Sequence, residues 1–106
     1  MKSELLAVIK EMIKLLQACN WPDKAAWFSQ KQDLLRKLNP SDEEFKREIS
    51  EIEKIMTGMG SFSDLPLYPS KESGLSEKQA AEKQWKLVNQ LTELIRKIGD
   101  VSNRTA

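Results

Sequence analysis

Histidine, the side chain most used for proton transfer near neutral pH, does not occur in this chain of 106 residues. Cys19 is the only cysteine. With no histidine to activate it, and placed on the apolar face of a helix, it reads as a packed thiol and not as a nucleophile. The same absences exclude an internal disulfide and a zinc site built from Cys and His. No carboxylates fall at the spacing of a calcium loop or of a Glu-x-x-His ligand pair. The closest cluster is Glu44, Glu48 and Glu51 on one flank of a helix. It reads as a solvated face or as an acidic contact patch for a basic partner. Gly58-Met59-Gly60-Ser61-Phe62 resembles a phosphate loop only superficially. A true one follows a strand and runs through Lys-Ser/Thr into a helix, whereas here a helix precedes and Asp64-Leu65-Pro66 follows. Neither a metal nor a cofactor is expected, and the residues point to binding, not to catalysis.

The elements that carry these residues are helices. From Ser3 to Cys19, Leu5, Val8, Ile9, Met12, Leu15, Leu16 and Cys19 share one half of a helical wheel. Asn20-Trp21-Pro22 ends that helix, because a residue before proline is driven out of the helical region. Pro22 or Asp23 opens a second helix to about Leu38, with Trp27, Leu34 and Leu38 as its stripe, widened by Phe28 and Leu35. Lys24 and Lys31 fall inside that arc and have to snorkel. Ser41-Asp42-Glu43-Glu44 has the form of a capping box, opening a third helix over 41–57 with Phe45, Ile49, Ile52, Ile55 and Met56 buried. A fourth helix runs over 76–98 from a second box, Ser76 to Gln79. Its apolar face is assigned to Ala81, Trp85, Val88, Leu91, Leu94, Ile95 and Ile98. Trp27 and Trp85 are thereby expected in the core. Residues 100–106 are polar and are expected to fray. The expected fold is all-α, a four-helix bundle in a single domain over 1–106 with a long ordered loop at 57–75.

Composition bounds the partners. Seventeen basic and sixteen acidic residues leave a formal charge of +1. No global field exists to draw in nucleic acid or an anionic membrane, so neither is expected as a direct partner. The apolar run near the N-terminus, Leu5 to Ile9, stops at Lys10-Glu11, short of the roughly 7–15 residues of a signal core. No stretch is long enough to span a bilayer. A cytoplasmic protein is expected, monomeric or weakly self-associating when free.

The long loop has its own grammar. Gly58 and Gly60 permit backbone conformations closed to other residues. Ser61, Ser63 and Asp64 can bond nearby amides in tight turns. Met59, Phe62, Leu65, Leu67 and Tyr68 can then fold back over the end of the bundle, as a structural lid or as direct partner contacts. The run Gly58-Met59-Gly60-Ser61-Phe62-Ser63-Asp64-Leu65, preceded by a second helix carrying Ala25-Ala26-Trp27-Phe28, resembles the signature of a family of small helical bacterial proteins. These occur among the immunity proteins of polymorphic-toxin and contact-dependent growth-inhibition systems. The chain departs from that pattern in carrying a complete amphipathic helix after the loop.

The resemblance implies a non-enzymatic protein. It would bind the toxin domain of a cognate effector, such as a nuclease, and block its active site or access to substrate. Many such toxins have basic clefts, which suits the excess of acid on the third helix: Asp42, Glu43, Glu44, Glu48, Glu51 and Glu53 against Lys46 and Arg47 over residues 42–53. Of these, Asp42, Glu43, Glu44, Glu48 and Glu51, with Phe62, Asp64 and Tyr68 of the loop, are the candidate contacts. Gln84 supports a different reading, a helical adaptor or regulatory subunit of a bacterial complex. A polar group in an apolar arc either bonds to the loop or faces a helix of another chain.

Overall fold

The computed structural model describes residues 2–56 and 66–104, with side chains through Ile55 and from Pro66 to Ile98. The motif run Gly58–Leu65, with Phe62 and Asp64, lies outside the described residues. Four α-helices make an all-α, bundle-like fold: α1 (Lys2–Ala18), α2 (Pro22–Lys37), α3 (Glu43–Met56) and α4 (Glu77–Arg104), with a short 3-10 turn at Lys71–Ser73 before the last.

α1 is the central helix, packing against both α2 and α4, while α3 closes the bundle against those two. Leu5, Ile9, Met12, Leu15, Leu16 and Cys19 are buried as their spacing required, and Val8 packs at the edge. Burial pushes the Cys19 thiol above its usual pKa, which disfavours the thiolate. The helix ends in a Schellman motif. Asn20 takes a left-handed φ of 64°, the Trp21 amide donates to the Leu16 carbonyl at 2.9 Å, and the Asn20 amide donates to Gln17 at 3.4 Å. Asn tolerates this conformation better than most residues, so one residue both stops α1 and aims the chain into α2. Pro22 sits in the first turn of α2, where its missing N–H is no loss.

α1 and α2 run antiparallel. Lys2 Nζ donates to the carbonyls of Arg36 (2.9 Å) and Leu38 (2.6 Å), covering the negative end of α2 with a cation. Gln32 Nε2 donates to Leu6 O at 3.1 Å. The buried face of α2 is turned from the one its large residues suggest. Ala25, Phe28, Lys31 and Leu35 are buried, while Trp27 and Leu38 pack only at the edge.

α3 begins at Glu43, so Ser41 does not serve as its cap residue. Asp42 holds the entry instead: its amide donates to Asn39 O at 2.9 Å, and its carboxylate accepts from the Asn39 amide at 3.0 Å. Phe45, Ile49 and Ile52 are buried as expected. The second box is present in full. The Ser76 amide donates to Gln79 Oε1 at 2.9 Å and the Gln79 amide donates to Ser76 Oγ at 3.1 Å. α4 continues past Gly99 to Arg104, so residues 100–104, expected to fray, are helical.

The largest correction falls on α4. Trp85 is 66% exposed and Ala81 is exposed; Ala80, Gln84 and Leu87 are buried in their place. With Leu91 as reference and about 100° per residue, Ala80, Gln84, Leu87, Val88, Leu94, Ile95 and Ile98 all lie within about 60°. Trp85 lies about 120° away, so burying it would turn the aliphatic series out of the core. Periodicity outweighs the size of one side chain.

Candidate partner-binding surface

The residues singled out for contact fall into two groups, to which the structure adds a third. The first is the acidic flank of α3. Glu43 and Glu44 are exposed in its first turn, where they complement the positive helix end. Asp42 is half-buried and engaged with Asn39.

Glu48 and Glu51 do not stand free. Both accept from the Lys31 ammonium, Glu48 Oε2 at 2.5 Å, with Glu51 closing the other side. Lys31 is buried at 8% exposure, and its amine lies 5.2 Å from the centre of the Trp27 ring. Burial alone would lower its pKa; hydrogen bonds and charge from the two carboxylates outweigh that and hold it above its usual value. The hydrogen bond from Lys31, then its charge, holds the Glu51 carboxyl below its usual value, with smaller help from Lys54 and Arg47. Lys31 therefore does not snorkel to water; it is neutralised across the α2–α3 interface. Of the cluster Glu44, Glu48 and Glu51, only Glu44 is a solvated side chain without an ion pair among the described residues. The outer surface of α3 is also mixed in sign: a shallow depression there is lined by Glu43, Lys46, Arg47, Ser50, Glu51 and Lys54.

The second group is the connection into α4. Leu67 is buried and Tyr68 is 64% exposed. Two bonds fix this stretch to the end of the first hairpin: Trp21 Nε1 donates to Pro66 O at 3.0 Å and the Ser70 amide donates to Ala18 O at 2.8 Å. The chain reverses through the 3-10 turn, with Gly74 at φ +72° and Ser73 Oγ bridging Ser70 O (2.6 Å) and the Leu75 amide (3.2 Å). The connection is docked with Leu67 in the core, and the Tyr68 phenol is left in solvent.

The third group, Trp85, was not foreseen as a contact, although its wheel position gave the signal. Trp85 and Tyr68 are the two large hydrophobic side chains exposed among the described residues. Gln84, which motivated the adaptor reading, is buried and is engaged within its own chain.

Among the described residues, no group of three or more Cys, Asp or Glu stands close enough to hold a metal ion. No described helix is long and apolar enough to cross a membrane. Comparison with protein family models, with curated proteins and with solved structures finds no match to this chain.

Proposed function

We propose that this protein acts by binding, and that its partner is a protein toxin domain whose active site or substrate access it blocks in the cytoplasm of the bacterium that makes it. The observation that carries the binding reading is the outward placement of Trp85 and Tyr68, on a fold that buries Phe28 and Phe45 almost completely. Large aromatics left in water are uncompensated in the free protein. They are the side chains that most often dominate the energy of a protein interface. The toxin identity rests on the resemblance of the Gly58–Leu65 run to immunity proteins. Glu43, Glu44 and Glu53 remain exposed on α3 and can steer a basic cleft.

The test is protection of growing cells. The product of the adjacent reading frame is expressed with wild-type protein, with Trp85→Ala/Tyr68→Ala, or with Glu43→Lys/Glu44→Lys. The wild type should co-purify with that product and protect. The aromatic double variant should fold normally and fail to protect, and the charge variant should bind more slowly. An adjacent product that is harmless, or that does not co-purify, removes the toxin reading. Full protection by the aromatic variant removes these two rings as the contact.

A further inference from the structure

A groove of about 580 Å³ runs between α1 and α4, on the flank of α4 opposite Trp85. Each wall is a series with the same helical offsets. α1 contributes Glu11, Lys14, Leu15 and Ala18; α4 contributes Lys83, Lys86, Leu87 and Gln90. Both series are i, i+3, i+4, i+7, the spacing that lines up side chains along one strip of a helix. Leu15, Ala18 and Leu87, with Leu75 at one end, make an aliphatic floor. Lys14, Lys83 and Lys86 stand on the rim with Glu11, Ser73 and Gln90.

The charges on that rim are unevenly matched. Glu11 approaches Lys14 at 3.7 Å in an exposed pair, which leaves Lys14 available to compete for another anion. Lys83 and Lys86 have no ion pair among the described residues. A simple anion would find the lysines but gain nothing from the leucines. Single-stranded nucleic acid binds by stacking on aromatic rings, and this groove has none. A membrane takes up apolar groups that protrude, whereas these are recessed between two helices. The chemistry that satisfies floor and rim together is a short amphipathic segment with aliphatic side chains flanked by carboxylates. The i to i+7 walls span roughly 10 Å, about two turns of a docked helix.

We propose that the α1–α4 groove is a docking site for an acidic amphipathic helix of a protein partner, its leucine-class side chains over Leu15 and Leu87 and its carboxylates on Lys14, Lys83 and Lys86. The site is independent of the toxin reading and of Trp85.

The probe is a synthetic helix with leucines at i, i+3 and i+7 and glutamates on both flanks, titrated into the isotope-labelled full chain. Amide signals of residues 11–18 and 83–90 should shift together, and binding should weaken as salt rises. Lys83→Glu/Lys86→Glu should keep its melting temperature and lose about tenfold or more in affinity. A peptide with its glutamates changed to lysine, and one with its leucines changed to serine, should each bind far more weakly. Shifts elsewhere, no binding, or undiminished binding to the double reversal would overturn the proposal. So would equal, lysine-dependent binding of an oligonucleotide or of phosphatidylserine vesicles.

Discussion

Lys31 Nζ lies 2.5 Å from Glu48 Oε2 across the α2–α3 interface, and both side chains are close to nine-tenths buried, at 10% and 12% exposure. Such a pair is a poor source of net stability but an expensive one to halve, because the surviving charge stays desolvated. Lys31→Met should destabilise by about 2–3 kcal/mol, since Glu51 can turn to water and Glu48 cannot. Lys31→Met/Glu48→Leu should recover most of that loss. Urea denaturation of both variants measures the difference; equal loss in single and double would mean that the pair is solvated in solution.

The same cluster sets a pH window. The Glu51 carboxyl is held below its ordinary 4.5, so its contribution is present above 4.5 and fades as pH falls through the lowered value. The Lys31 amine is held above its ordinary 10.5, so its contribution is present below 10.5 and fades as pH rises through the raised value. The melting-temperature gap between wild type and Lys31→Met should be flat from roughly pH 5 to 10 and narrow beyond both ends. A gap that changes steadily across neutrality would contradict this assignment, the more clearly because the chain has no histidine.

Trp85→Ala should change stability by no more than about 0.5 kcal/mol, as expected for a surface site. Phe45→Ala, at 0% exposure, should cost about 3–5 kcal/mol. Thermal melts compare them directly, and a large loss at Trp85 would return that ring to the core.

Trp21→Phe keeps an aromatic ring and deletes the donor to Pro66 O, so the loss should be about 1 kcal/mol. Hydrogen exchange at the Ser70 amide, which donates to Ala18 O, should accelerate in the variant if the two bonds act as one attachment. Unchanged exchange there would separate them.

Asn20→Gly should be neutral within a few tenths of a kcal/mol, while Asn20→Val should cost about 1–2 kcal/mol at φ 64°. Equal melting temperatures would mean that the Schellman turn relaxes without penalty.

The backbone plan was largely legible because it is written in short-range signals. Pro22, Asn20 and the Ser76–Gln79 box act within a turn of the residues they govern, and all are where the helices break or begin. The α1 and α3 stripes were legible because their apolar residues leave no second choice of face. α2 was not, since Trp27, Leu34 and Leu38 lie on one edge of its apolar arc and Phe28 and Leu35 on the other, about 100° round the helix. The inward arc also carries Lys31, whose partners Glu48 and Glu51 lie 17 and 20 residues away on α3, beyond the reach of any local pattern. Trp85 is the largest side chain of α4, but its angle, about 120° from Leu91, and not its size sets its place in solvent. The α1–α4 groove joins residues 65 or more positions apart, and no local pattern marks it.

The central place of α1 also dictates an order of assembly in time. Its contact with α2 closes a turn of a few residues, whereas its contact with α4 closes a loop of about sixty, which costs roughly 2 kcal/mol more in chain entropy. During synthesis the first three helices emerge while the α1 face that packs against α4 is still bare. The nascent chain therefore carries a sticky seam until α4 is made, and α4 acts as the stopper that ends this exposure.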